Sequence, residues 1–182
     1  MSQISDRYRN VAAAFSARAR EVPADKWDAP NPCEGWTNRD VVKHLAEWVP
    51  AMFASTWELP MPTIPSADDD PVAAWEATNE FCQSCLDDAA LASSERETPM
   101  GTKTFEDAFE MIALSDVVIH TWDLARGAGL DETLDAGEVE RLLGGMAQLP
   151  DEMRGDFFGP KHELGPDATD QDRMLGYSGR RP

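Results

Sequence analysis

Apolar residues recur at every third or fourth position in five stretches of the chain, and this spacing predicts amphipathic helices. The predicted helices cover residues 5–22, 39–55, 71–92, 105–126 and 135–149, and a short helical turn is expected at 168–176. Strand-like alternation appears nowhere for more than a few residues. The pattern therefore predicts an all-α fold.

Residues that favour helix ends flank these stretches. Ser5 is a candidate N-cap for the first helix, and Pro23 is its stop. Three further residues are candidate N-caps: Thr37 three residues before Asp40, Asp70 before Pro71, and Thr104 three residues before Asp107. Gly127 and Gly129 are candidate C-terminal signals of the fourth helix. These signals delimit the predicted helices independently of the hydrophobic spacing.

The segment 58–70 contains three prolines and three consecutive aspartates, so it can neither continue a helix nor join a sheet interior. We expect it to be a crossover loop, because neither half of the chain is long enough to form a good core alone. Residues 1–182 are therefore predicted to form a single helical domain. The segment 150–182 is expected to be a C-terminal extension packed on the helix bundle.

The chain is strongly acidic: 34 Asp and Glu residues oppose 16 Lys and Arg residues, for a net charge of −18 over 182 residues. Such a surface repels nucleic-acid phosphates and anionic lipids, and the basic residues are scattered, so neither partner class is expected. Three cysteines are too few for a disulfide framework, the first ten residues lack an apolar signal core, and no apolar run approaches a membrane span. These features predict a soluble cytoplasmic protein.

The predicted fourth helix is apolar nearly all round, yet it carries Asp116 and His120 four residues apart. This spacing separates their side chains by about 40° around the helix axis, so both can converge on one point. His44 lies within the apolar stripe of the second helix and points at the core. Two imidazoles and one carboxylate form a donor set for a divalent metal with one position left open. On the pattern alone, a metal-free hydrogen-bonded pair is the simpler explanation of Asp116 and His120, and a structural role is the simpler explanation of His44.

Two motifs resemble the DinB-like superfamily, in the branch related to mycothiol-dependent maleylpyruvate isomerase. They are NPCEGWTNRDVVKHLAEW (31–48) and DVVIHTWDLARGAG (116–129), and the ending of the chain, with its terminal Gly-Arg-x-Pro, resembles the closing segment of the same branch. The resemblance implies an up-down-down-up four-helix bundle that holds a divalent ion through His44, Asp116 and His120. In the isomerase itself, the resemblance places a glutamate at the position that corresponds to Asp116.

The resemblance also implies a function. The ion would most simply be Zn²⁺, with Ni²⁺, Fe²⁺ or Mn²⁺ as alternatives, and a low-molecular-weight thiol such as mycothiol or bacillithiol would be a co-substrate. The chain would then be a thiol-dependent transferase or isomerase acting on a small molecule. A metal-dependent hydrolase and a noncatalytic metal-binding module are the alternatives, because fold and metal do not determine a reaction. The sequence leaves the oligomeric state open, and a homodimer is one of the alternatives.

The remaining candidates have simpler explanations. Cys82 and Cys85 share a helix face with aromatic residues and are predicted to be core residues, and His162 is expected to be solvated. Cys33 is interpreted as structurally buried, although its thiol could lie near the metal. Core packing is expected for three tryptophans, although one could wall the site: Trp36, Trp48 and Trp122. Asp123 could orient a histidine or pair with Arg126, and the sequence does not decide between these roles.

Overall fold

The computed structural model describes residues 2–98, 100–146, 148 and 158–182. Helices and strands follow in the order α1 (Gln3–Glu21), α2 (Asn38–Trp57), α3 (Pro71–Asp87), α4 (Ala89–Ala92), β1 (Glu95–Thr98), β2 (Gly101–Thr104), α5 (Phe105–Phe109), α6 (Ser115–Ala128), α7 (Ala136–Met146) and α8 (Asp170–Tyr177). A π-helical segment, Glu110–Leu114, joins α5 to α6, and a 3₁₀ turn, Ala24–Lys26, follows α1. Across the described residues the protein is a helix bundle, and the all-α prediction is confirmed.

The four long helices pack around one core. Helix α1 contacts α3 and α6, and α2 contacts the same two helices, so the helices follow one another around the core in the order α1, α3, α2, α6. An aromatic cluster fills the interior where α2 meets α5, and Phe53 lies within 5.7 Å of the rings of Trp57, Phe105 and Phe109. This packing holds α2 and α6 side by side, and these are the two helices that carry the candidate ligands.

Capping side chains set the helix starts. The side chain of Thr37 accepts a hydrogen bond from the backbone of Asp40, whose own side chain accepts from the backbone of Thr37, so the predicted capping box starts α2. Asp70 caps α3 and is followed by a proline at the first position of the helix. The prediction for α1 was wrong by three residues: Ser2 is the cap, while Ser5 is buried and its hydroxyl donates to Asp87.

The predicted fourth helix is interrupted by the π-helical turn, which ends just before Asp116. The hydroxyl of Ser115 donates to the carbonyl oxygens of Glu110 and Met111, each at 3.1 Å, and so satisfies acceptors in the widened turn. Gly127 was expected to end the helix but lies inside it. The second predicted end signal, Gly129, is where the helix ends, and it has φ 75°.

Two features of the middle of the chain differ from the predictions. The expected helix over 71–92 breaks at Asp88, whose backbone is extended and whose carboxylate caps the short α4. Strands β1 and β2 then form an antiparallel hairpin, in which Glu95 pairs with Thr104. These strands are mostly exposed, so they need no alternation of apolar and polar residues, and the sequence therefore contains no periodic signal for them.

The C-terminal part of the described chain packs α7 against α8. Helix α7 lies within the predicted 135–149, although Leu149 falls outside the described residues. Helix α8 begins at a second capping box, formed by Thr169 and Asp172, and buries Met174 and Leu175 completely. Among the described helices, none is both long enough and apolar enough to cross a membrane.

Candidate metal centre

The structure brings the three predicted ligands together. His44 lies on α2, and Asp116 and His120 lie one turn apart on α6. The distance from His44 Nε2 to Asp116 Oδ2 is 3.1 Å, and the distance from His120 Nε2 to Asp116 Oδ1 is 3.4 Å. Both imidazoles therefore face the same carboxylate from two different helices.

The site is closed at His120 and open at His44 and Asp116. The His120 side chain is 4% exposed, whereas the side chains of His44 and Asp116 are 32% and 26% exposed. Two half-buried tryptophans flank the opening. The ring of Trp36 stacks on His120 at 5.8 Å and lies 5.0 Å from the ring of His44, and the indole N–H of Trp48 donates to Asp116 Oδ2 at 3.2 Å.

Behind the three ligands, a second carboxylate orients His120. Asp123 Oδ2 lies 2.9 Å from His120 Nδ1, and the Asp123 side chain is fully buried. Of the two roles left open for Asp123, the structure has the contact with His120, and Arg126 pairs with Glu132 instead. The charge of Asp123 is balanced by Arg180, whose Nη2 lies 2.7 Å from Asp123 Oδ2.

These contacts shift the ionisation of the cluster. Burial alone would raise the pKa of Asp116, but the facing His120 and His44 hold that pKa below its ordinary value. Burial opposes a charged imidazole at His120, yet the carboxylates of Asp116 and Asp123 raise its pKa to about 10. The pKa of Asp123 falls to about 2 despite burial, because His120 and Arg180 both favour the carboxylate. The space between the two carboxylates therefore favours positive charge.

The donor set fits a divalent transition metal. Ligand bonds of about 2.0–2.1 Å place neighbouring atoms of a tetrahedral site about 3.3–3.4 Å apart. The two histidine nitrogens lie 3.1 and 3.4 Å from different oxygens of Asp116, and one donor atom from each of the three residues lies within 4.8 Å of the others, near enough to share one ion. The contact between His120 and Asp123 matches the carboxylate–histidine pair that usually supports a metal-bound imidazole. His44, Asp116 and His120 could therefore hold such an ion.

A second group of potential ligands adjoins the first. Cys33, His120 and Asp123 also place their donor atoms within 4.8 Å, and Cys33 Sγ lies 3.4 Å from Asp123 Oδ2. This group already contains a cation, because Arg180 Nη2 lies 2.7 Å from the carboxylate and 3.4 Å from the thiol. A divalent ion there would be placed against a guanidinium, so the group at His44 is the better metal site.

Hydrogen bonds of Asn31 hold the loop before α2 against α6. Asn31 Nδ2 donates to the carbonyl oxygen of Asp123 and to Asn38 Oδ1, both at 2.9 Å. A Cβ atom at position 127 would lie 2.0 Å from Asn38 Oδ1, so only glycine permits this approach of the two elements. The close approach explains why a glycine lies within a helix at position 127. The hydrogen bonds of Asn31 place Cys33 beside Asp123.

The other candidates lie outside the site. Cys82 and Cys85 are both buried free thiols, and burial raises the pKa of Cys85 to about 11, as expected for core residues. The ring nitrogen of His162 accepts a hydrogen bond from Arg181. Trp122 is a core residue beneath Arg126. Of the three tryptophans considered, Trp36 and Trp48 line the site.

Sequence reasoning missed two contributors. Arg180 belongs to the terminal Gly-Arg-x-Pro motif, which was noticed only as a resemblance, and its pairing with Asp123 spans 57 positions. Core packing was the main expectation for Trp48, with a place in the wall of the site as the alternative, although its spacing of four from His44 places both side chains on one face of α2. That spacing was a usable signal, whereas nothing local pointed to the partner of Arg180.

The family model described as the mycothiol maleylpyruvate isomerase N-terminal domain matches residues 8–125. Two uncharacterized proteins of Mycobacterium tuberculosis, from strains CDC 1551 and H37Rv, are each 31% identical over 152 residues, covering 81% of this chain and 80% of the relative. No solved structure shows a significant match. The matched residues 8–125 include all three candidate ligands.

Proposed function

The chain belongs to the family of the mycothiol maleylpyruvate isomerase N-terminal domain, which is DinB-like, and we propose that it binds a divalent metal ion and performs thiol-dependent chemistry on a small molecule. The observation that carries the proposal is the convergence of His44, Asp116 and His120, with His120 oriented from behind by Asp123. Zn²⁺ is the ion we favour, because two imidazoles and one carboxylate are typical zinc donors. The family description supports mycothiol or a similar thiol as co-substrate.

Each residue of the site has a distinct task in this proposal. His44 and His120 would supply neutral imidazole donors from two helices, and Asp116 would supply the one negative charge. Trp48 donates to Asp116 Oδ2 and so keeps the carboxylate turned toward the imidazoles. Trp36 covers the faces of both histidines and limits water on that side. An ion bound there would supply Lewis-acid chemistry, lowering the pKa of a thiol or water at its open position.

The exposure of the site supports access by a small molecule. The partly exposed side chains of His44 and Asp116 leave an approach from solvent, while His120 is buried on the other side of the site. Two indole rings beside this approach would pack against the apolar part of a substrate. A purely structural ion that fastens α2 to α6 would not need this opening, so the proposal favours an enzyme over a binding module.

Two measurements test the proposal in sequence. Elemental analysis of the purified protein and calorimetric titration with Zn²⁺ should give one ion per chain, and His44→Ala should lose it. The Co²⁺-loaded protein should then be titrated with mycothiol and, as control, with its S-methylated form. A near-ultraviolet thiolate-to-metal band with the free thiol alone supports thiol chemistry, whereas ion binding without that band overturns it and leaves the module or a hydrolase.

A further inference from the structure

The C-terminal segment reaches back to the metal centre through a fixed backbone. After α8, the N–H of Arg180 donates to the carbonyl oxygen of Leu175 at 2.9 Å, and Leu175 is fully buried. Gly179 has φ 84°, a backbone conformation that favours glycine. A Cβ atom at position 179 would also lie 2.7 Å from the Cα of Gly159, so the two backbone segments approach so closely that only glycine fits. The position of the Arg180 side chain is therefore set by packing.

Arg180 forms two hydrogen bonds with Asp123, the carboxylate that orients His120. Its Nη2 lies 2.7 Å from Asp123 Oδ2 and its Nε lies 3.2 Å from Asp123 Oδ1, so the guanidinium holds both oxygens. Asp123 Oδ2 also lies 2.9 Å from His120 Nδ1. A continuous chain of polar contacts thus joins the C-terminal segment to the imidazole whose other nitrogen faces Asp116.

We propose that Arg180 is a positioning residue of the metal centre, which acts through Asp123 to hold the His120 ring for metal binding. This inference rests on the metal site proposed above. It adds a residue that lies outside the part of the chain matched by the family model, which ends at residue 125. The C-terminal segment then belongs to the metal centre instead of merely covering the bundle.

Two effects of Arg180 on a bound cation oppose each other. Its positive charge repels the ion, so removal of the charge alone would tighten binding. Its removal would also leave Asp123, with 0% of its side chain exposed, as a buried carboxylate without its cation. Because the bidentate contact fixes both oxygens and the buried carboxylate has few other partners, loss of orientation is the larger effect. Outer partners of this kind change metal affinity by about 10–100-fold.

The experiment measures the dissociation constant for Zn²⁺ by competition with a chromophoric chelator, using full-length wild type, Arg180→Gln, Asp123→Asn and the double variant. Arg181→Gln is the matched control, because it removes the neighbouring arginine, which contacts His162 and not Asp123. We expect Arg180→Gln to weaken binding by about 10–100-fold and Arg181→Gln to leave it unchanged. The double variant should be no weaker than the weaker single variant, since Arg180 acts through Asp123.

A purely structural role would give a different pattern. Arg180→Gln would then lower the melting temperature of the metal-free protein without changing the dissociation constant, and that result overturns the proposal. Tighter binding in Arg180→Gln also overturns it, because repulsion would then outweigh positioning. Strictly multiplicative effects in the double variant would show that Arg180 does not act through Asp123. Absence of zinc binding in the wild type would overturn the proposed function itself and this inference with it.

The Zn²⁺ affinity of Arg180→Lys distinguishes the effect of the positive charge at position 180 from the effect of the two-point contact with Asp123. Lysine keeps the positive charge but cannot hold both oxygens of Asp123 in a planar fork. We expect Arg180→Lys to bind Zn²⁺ more tightly than Arg180→Gln and less tightly than wild type. The Co²⁺ absorption spectrum of the loaded protein should change in the same order, since it reports the placement of the ligands. An unchanged spectrum across this series would contradict the positioning role.

Discussion

Replacement of Asp116 by Asn tests the central feature of the candidate site. Asp116 supplies the only negative charge among the three ligands, and its oxygens face His44 at 3.1 Å and His120 at 3.4 Å. Asparagine keeps the size of the side chain but is neutral, and it has one acceptor oxygen where aspartate has two, so it cannot accept from Trp48 and also turn an oxygen toward both histidines. The substitution therefore removes the charge that attracts the ion and one of the two oxygen atoms that face the imidazoles.

The expected loss of affinity can be converted into a melting temperature. Loss of an outer partner of a ligand already costs about 10–100-fold, so loss of a charged ligand should cost at least about 100-fold. Zinc at 100 times the wild-type dissociation constant adds about 2.7 kcal/mol of stability, and the same concentration adds about 0.4 kcal/mol to a site 100-fold weaker. For a chain of 182 residues, these energies correspond to about 5–11 °C and about 1–2 °C.

Calorimetric titration and thermal melting with and without Zn²⁺ measure both quantities. Asp116→Glu restores the ligand type of the related isomerase and should stay near wild type in affinity, at some packing cost from the added methylene. Asp68→Asn is the matched control, because Asp68 is exposed and pairs with Lys43 outside the site. Equal zinc affinities for wild type and Asp116→Asn would refute the assignment of Asp116 as a ligand.

Three further predictions follow from the same structure. His44→Ala and His120→Ala should each abolish stoichiometric metal binding by elemental analysis, whereas His162→Ala should retain it; the reverse pattern would show that the ligands lie elsewhere. Removal of the ion by a chelator should lower the melting temperature but leave the far-ultraviolet circular dichroism helical, because the apolar core does not depend on the ion. Phe53→Ala should destabilise the protein by about 3–5 kcal/mol in urea unfolding, because the fully buried ring packs on three other aromatic rings; a loss below about 1 kcal/mol would contradict that packing.

Features that depend on residues one or two helical turns apart were predictable from the sequence. The capping boxes, the apolar faces and the spacing of Asp116 and His120 are of this kind, because the geometry of an α-helix relates positions three and four apart directly. His44 faces α6, as its place in the apolar stripe of α2 predicted, but its side chain is 32% exposed at the opening of the site instead of buried in the core. Departures from the helical pattern, such as the π-helical turn before Ser115, were not predictable from that spacing.

Tertiary structure alone decided how these local pieces meet. The contact between Cys33 and Asp123 spans 90 positions, and the contact between Arg180 and Asp123 spans 57. Neither has a periodic signal, because each depends on where packing and close approaches at Gly127 and Gly179 place separate segments. The sequence by itself therefore determined which helix faces carry donor atoms. The folded chain determined which carboxylate supports His120 and which cation balances it, since a buried charge needs a partner that only packing can supply.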